Sequence, residues 1–276
     1  MDYKRILTIQ DISCFGQCSL TVALPVISAC GVETCMLPSA VLSTHTGGFT
    51  GFTFRDLTED IPDIQKHWQK EGITFDAVYT GYLGSTKQIS YVKDILDTMA
   101  PQGVKIVDPA MADNGVLYVG FDDEYVQAMK SLCAGADIIL PNITEACFIT
   151  GYEYREKYDQ AYIDGLVNEL CSLCGGTVVL TGVGYSEEYT GVLVCENGKA
   201  LYYKHKKLPK SSHGTGDVYA SAFTGALMRG FGAYEAACIA ADYTVLCIEN
   251  TADDDSHRYG VKFEPMLPEL IKMLGK

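Results

Sequence analysis

The sequence predicts an α/β fold, a three-layer αβα sandwich around a mostly parallel sheet. Short apolar runs alternate with longer amphipathic stretches, the order that builds βαβ units. The chain of 276 residues is 47% hydrophobic and 20% charged, enough apolar material for one large core. Glycine marks the ends of helical stretches, as Gly31 does after Leu20 to Ala29. One domain spanning 1–276 is therefore expected.

In chain order, Arg5 to Ile9 is the first predicted strand, Leu20 to Ala29 the first helix and Val32 to Leu37 the second strand. The beat returns as strands at Ala77 to Tyr79, Val104 to Val107, Asp137 to Leu140 and Thr177 to Leu180. Helical stretches such as Thr86 to Ala100 and Asp122 to Ala134 lie between them. Between the second strand and the helix carrying Trp68 runs "SAVLSTHTGGFTGFTFRDLTED", too long for a tight connection and too apolar for a disordered linker. It reads as a small strand-bearing flap over a site, with Thr44 to Phe54 as a lid that excludes water. "DNGVLYVGFDDE" reads as an irregular region, and Val192 to Tyr203 as a hairpin, because Asn197-Gly198 suits a type I′ turn.

With 21 Lys and Arg against 35 Asp and Glu, the formal charge is -14, which repels polyphosphate backbones and anionic membranes at long range. Nucleic acid and membrane partners are not expected. No stretch approaches the about 18 apolar residues of a membrane span, and the apolar run at the start is short for a signal peptide, so a cytoplasmic location is expected. Eleven cysteines, an odd number scattered through the elements, read as free and mostly buried thiols. Cys171 and Cys174 form a CxxC late in a helix with no second pair at zinc-ribbon spacing.

The chemistry concentrates in "HGTGD", which opens an Ala-rich helical stretch. A Gly-x-Gly turn at a helix start lets backbone approach a ligand closely, and the first N–H groups lack helical partners. Gly214, Thr215 and Gly216 therefore make a candidate anion hole for phosphate. Lys204, Lys206, Lys207 and Lys210 lie just upstream in the chain. A carboxylate at Asp217 repels phosphate unless it has a task, and accepting a proton from an acceptor hydroxyl is one. The alternative is a helix N-cap with no catalytic meaning. The stretch lacks the Lys-Ser/Thr of a P-loop.

These residues resemble the ribokinase-like kinases, in their vitamin B6 (pyridoxal/pyridoxamine) branch. Ile9-Gln10, Leu42-Ser-Thr-His-Thr-Gly47, Thr80-Gly-Tyr-Leu-Gly84, Val107-Asp-Pro109, Pro141-Asn-Ile-Thr-Glu145 and the GTGD turn follow the family's order over about residues 5–250. The resemblance implies a ribokinase-like fold and ATP-dependent phosphorylation of the 5′-hydroxymethyl group of a B6 vitamer. It implies Asp217 as base and Gly214 to Gly216 as phosphate cradle. Asn142 and Glu145 resemble the motif that organises Mg²⁺ and its waters; Asp108 and Asp113 resemble the acids facing the ATP phosphates, with Asp108 and Glu145 the metal-side pair. Asn142 and Glu145 are equally a good capping box. Thr181 and Leu208 resemble nucleotide contacts, while Asp11, His45, Thr46 and Tyr82 resemble the surroundings of the pyridine ring.

Mg²⁺, ATP as co-substrate, a monovalent cation such as K⁺ and a homodimer complete what the resemblance implies. Asp11 stands where many pyridoxal kinases have Ser, which inclines the reading to pyridoxamine or broad B6 specificity. Ala110-Met-Ala-Asp113 departs mildly from the family pattern and keeps its acid. Two other readings stand beside it: a hydroxymethylpyrimidine kinase, whose branch typically has Cys where this chain has Asp217, and a non-catalytic sensor of ATP or B6.

Overall fold

The computed structural model describes residues 3–208, 213–254 and 256–275. The first half of the chain forms β1 (Arg5–Ser13), α1 (Leu20–Ala29), β2 (Glu33–Leu42), β3 (Phe54–Asp56), α2 (Ile61–Lys70), β4 (Ala77–Thr80), α3 (Thr86–Met99) and β5 (Val104–Val107). A small hairpin follows, β6 (Ala112–Asp113) and β7 (Val116–Leu117), and then α4 (Asp123–Cys133), β8 (Ile138–Ile139), α5 (Ile143–Thr150), α6 (Gln160–Cys174) and β9 (Thr177–Thr181). The chain closes with β10 (Tyr189–Glu196), β11 (Lys199–Lys206), α7 (Thr215–Met228), α8 (Ala233–Thr251) and α9 (Leu267–Met273).

Nine strands form one sheet in the order β11-β10-β9-β8-β5-β4-β1-β2-β3. The six from β9 to β2 pair in parallel, while β3, β10 and β11 are antiparallel additions at the two edges. The expected α/β sandwich is thus present. Because the inner strands all run one way, Ser13, Thr80, Val107, Ile139 and Thr181 end along a single edge of the sheet, where ligands bind in open α/β folds.

Each face of the sheet has its own apolar layer. Leu7, Ile9, Val78, Val107, Ile139 and Leu180 meet α3 to α6 on one side. Ile6, Tyr79, Ile106 and Val179 meet α1, α7 and α8 on the other. Alternation along each strand sends successive side chains to opposite faces, which is why neighbours such as Ile6 and Leu7 divide between the layers. Helix α7 is buried from Val218 to Ala226, and its small residues bring it close to α1: a Cβ on Gly225 would lie 2.3 Å from the Cys30 sulfur. Phe223 is fully buried there, a burial contributing about 1.5–3 kcal/mol, so the mouth of α7 sits on a rigid support.

The stretch read as irregular after β5 is instead the β6–β7 hairpin, with Asn114 and Gly115 both at positive φ (50° and 79°). That is the same I′ geometry seen at Asn197 and Gly198 (51° and 74°) in the β10–β11 hairpin. The flap carries its strand: β3 pairs with the end of β2, Ala40 opposite Asp56 and Leu42 opposite Phe54. Among the described residues no helix is long and apolar enough to cross a membrane.

Candidate active site

Helix α7 opens at the C-terminal edge of the sheet. Its N-cap, Gly214, is left-handed (φ 74°), and a Cβ there would lie 1.8 Å from the Gln17 carbonyl oxygen. Only glycine can hold this turn. Thr215 is half-buried and Gly216 exposed, so the first amides of α7 border the cleft. Asp217 follows in the first turn, half-buried, with its carboxyl pushed up to about 7 by burial, eased by the Ser19 amide and raised further by Asp11. A carboxyl so placed divides evenly between acid and base at neutral pH.

On one side of Asp217 lies the end of β1. Asp11 is buried, accepts a hydrogen bond from Ser13 Oγ at 3.0 Å, and is raised by burial against the opposing pull of Ser19, Ser13 and His45. His45, from the flap, is also buried; its Nε2 donates to the Tyr259 carbonyl at 2.9 Å, and burial lowers its basicity. The room for that ring comes from Gly16, whose Cβ would lie 2.1 Å from His45 Cδ2. Phe49 meets the His45 ring edge-on at 5.1 Å, and His213 lies 5.3 Å away. Tyr82, after β4, stacks on Phe121, which stacks on Tyr125 at 3.7 Å, a three-ring wall fixed by Tyr125 Oη donating to the Leu83 carbonyl at 2.6 Å. Burial and the nearby Asp11 raise the Tyr82 phenol. Asp11 thus lies within electrostatic reach of both His45 and Tyr82, while Thr46 is exposed on the flap.

On the other side are the ends of β5 and β8. Asp108 is buried, its carboxyl raised first by burial and then by Asp217. Glu145 is buried too, raised by burial and by Asp108. It also completes a capping box: Asn142 Oδ1 accepts from the Glu145 amide at 2.9 Å, and Glu145 Oε2 accepts from the Asn142 amide at 2.8 Å. The capping reading of the pair is thus realised. Its other oxygen accepts from the Met111 amide at 3.2 Å, and Asn142 Nδ2 donates to the Ala112 carbonyl at 2.9 Å. Asp113 differs from Asp108: it is exposed at the end of β6 and accepts from the Asn114 amide at 2.8 Å and from Asn114 Nδ2 at 3.0 Å. Thr181 closes this half, its amide donating to the Pro141 carbonyl at 2.9 Å. Leu208 is half-buried beyond β11.

Lys204 lies over the Tyr189 ring at 4.3 Å and Lys206 pairs with Glu249 at 3.7 Å; Lys210 lies outside the described residues. The cleft also contains groups that sequence reasoning missed. Cys18 stays a neutral thiol through burial and the charges of Asp217 and Asp11. Ser19 holds a positive φ of 55°, a conformation few side-chain-bearing residues adopt, and Tyr259 supplies the carbonyl that orients His45. Ser19 has no local signature, and Tyr259 is 214 residues from its partner.

The sequence profile described as phosphomethylpyrimidine kinase matches residues 20–262. The pyridoxal kinase PdxY of Granulibacter bethesdensis is 27% identical over 79% of this chain and 80% of its own length. The pyridoxal kinase of Dictyostelium discoideum is 25% identical over 82% and 78%. Among solved structures, a Bacteroides thetaiotaomicron protein provisionally assigned as a phosphomethylpyrimidine kinase, crystallised with pyridoxal, superposes with a TM-score of 0.91 at 35% identity, covering 98% of this chain and 96% of that one. Pyridoxal kinase from Lactobacillus plantarum gives 0.90 at 30% identity, covering 99% and 98%. A cleft built on the mouth of α7, in a chain matched across nearly its whole length, has one family reading: this chain belongs to the phosphomethylpyrimidine kinase family, alongside the pyridoxal kinases it resembles.

Proposed function

We propose that this chain is an ATP-dependent kinase that phosphorylates the 5′-hydroxymethyl group of vitamin B6 vitamers. The observation that carries the reading is Asp217, a carboxyl brought to about 7 at the mouth of α7, next to Asp11, which in turn neighbours His45 and Tyr82. A base whose affinity for protons matches neutral pH is well suited to take the proton of an attacking hydroxyl, a contribution commonly worth about 10²–10⁴ in rate.

In this reading the vitamer lies in the pocket over β1 and β4, its ring against Tyr82 and its polar substituents toward Asp11, His45 and Thr46. ATP lies over β8 and β9, with Thr181 and Leu208 on its nucleoside side and its phosphates directed at α7. Strands β4 and β9 are three positions apart in the sheet, about 14 Å at normal strand spacing. That span suits two substrates meeting end to end at Asp217. As the hydroxyl attacks, Asp217 accepts its proton, while the amides of Gly214, Thr215 and Gly216 hold the anionic oxygens with the positive end of the helix dipole.

The carboxyls of Asp108 and Glu145, both raised by burial with like charge nearby, fit a cation that would neutralise them. Mg²⁺ would supply charge compensation to the ATP phosphates. Asp108 and Glu145 would hold it largely through water, as this ion favours, with Asn142 orienting Glu145 and Asp113 at the hairpin on the phosphate side. K⁺ as a second cation, a homodimeric assembly, a single functional domain and a cytoplasmic setting belong to the same reading.

The test is incubation of the purified protein with Mg-ATP and, separately, pyridoxamine, pyridoxal, pyridoxine and hydroxymethylpyrimidine, following ADP release and product mass. A B6 5′-phosphate is the expected product. Turnover of the pyrimidine alone would overturn the substrate assignment and keep the site chemistry; ATP binding without turnover of any acceptor would favour a sensor.

A further inference from the structure

After Thr181 the chain leaves the sheet and turns through Gly182, Val183 and Gly184 beside the Asn142 end of α5. No ladder continues there, yet the turn is tied down by two phenols from distant segments. Tyr158, in the connection between α5 and α6, donates from its hydroxyl to the Gly182 carbonyl at 3.3 Å and accepts from the Gly184 amide at 3.0 Å. Tyr202, on β11, donates to the Val183 carbonyl at 2.8 Å. One hydroxyl thus bridges both ends of the turn and the other holds its middle. Val183 is fully buried and its amide donates to the Gly191 carbonyl at 3.0 Å. The Tyr185 ring meets both Tyr158 and Tyr202 edge-on, at 6.2 and 5.6 Å.

Gly182 is left-handed (φ 75°) and exposed, so without the phenol bonds the turn would keep only the buried Val183 and its amide bond to Gly191 as anchors, with both glycines loosely held. Ordering such a segment on binding lowers affinity; ordering it beforehand raises it. The bonded turn begins at Thr181, on the proposed nucleotide side, four strand positions from β1 and its Asp11 pocket. We propose that Tyr158 and Tyr202 are positioning residues whose hydroxyls hold the Gly182–Gly184 turn ready for ATP, so that they set nucleotide affinity and leave vitamer affinity alone. This inference rests on the kinase reading above for the location of the nucleotide.

The test uses Tyr158→Phe and Tyr202→Phe, which keep the rings and remove the hydroxyls. Calorimetry with ATP gives Kd without turnover, and steady-state assays separate the two KM values from kcat. Each variant should weaken the Kd and KM for ATP about five- to tenfold, the range for losing a net hydrogen bond or two, with kcat and vitamer KM within about twofold. Tyr152→Phe is the matched control, its ring packed on Tyr162 at 5.4 Å. A Kd for ATP within twofold of wild type in both variants overturns the proposal, as does an equal rise in vitamer KM, which would mark a general structural role. If one variant fails to fold, the other decides. If the wild-type protein binds ATP but phosphorylates no vitamer, the function proposed above falls while the Kd comparison still decides this one. A wild-type protein that binds no ATP overturns both.

Discussion

Replacing Asp217 with Asn tests chemistry and electrostatics in one variant. The Asp217 carboxyl titrates at about 7 instead of its ordinary 3.8, so between these values the folded protein holds a proton that the unfolded chain has released. Stability therefore falls as pH rises through that window, and the deficit is complete above about pH 7. The gap corresponds to about 4 kcal/mol at 1.36 kcal/mol per pH step. Because the side chain is half-buried and partly screened, about half of that should be realised. Asp217→Asn removes the deficit without changing shape. Thermal unfolding at pH 8 should then rise by about 4–6 °C for a chain of this size, with little gain at pH 4 to 5, where the wild-type carboxyl is already neutral. The same variant should lose at least about 100-fold in kcat while ATP binding stays near normal. More than a tenth of wild-type kcat, or a stability gain equal at both pH values, would refute the reasoning.

Four other substitutions follow from the geometry. Gly214→Ala places a Cβ 1.8 Å from the Gln17 carbonyl at a φ of 74°; a loss of about 3 kcal/mol or more and a sharp rise in the KM for ATP are expected, checked by denaturant unfolding and kinetics. Asp11→Asn should alter the ranking of pyridoxamine against pyridoxal in the substrate panel, because it removes the buried charge bound by Ser13; an unchanged ranking would remove Asp11 from substrate recognition. Gly115→Ala meets the Tyr154 ring at 2.7 Å, whereas Gly198→Ala, at a similar φ, meets no atom within 4 Å. Melting should show a loss of about 1–3 kcal/mol for the first and about 1 kcal/mol for the second.

Periodicity sufficed for the layers because burial is written into every strand: Asp137 to Leu140 and Thr177 to Leu180 are apolar runs, and Ile139 and Leu180 are fully buried. The Asn-Gly signal is legible at Asn197 but not at Asn114, where the flanking strands have only two residues each and too little alternation to register. Asp11, His45 and Tyr82 lie near one another because each sits at or near the end of β1, β2 or β4. Sequence proximity of Lys204 and Lys206 to HGTGD does not fix their partners: on the edge strand Lys204 faces Tyr189 and Lys206 faces Glu249. Tyr259 and the two phenols that bind Gly182 to Gly184 act across long sequence separations, where local composition carries no trace of the partner.

The β6–β7 hairpin is joined to the start of α5 by the Glu145 contact to Met111, the Asn142 contact to Ala112, and the Gly115 amide donating to Thr144 Oγ1 at 3.1 Å. Cover and anchor are consequently one mechanical body. The hairpin cannot swing away from the cleft alone without stripping buried Glu145 of a partner, so any opening motion would either carry the start of α5 along or stop short of it. On the other side of Asp217, His45 is held by its ring to the Tyr259 carbonyl and by its amide to the Phe15 carbonyl.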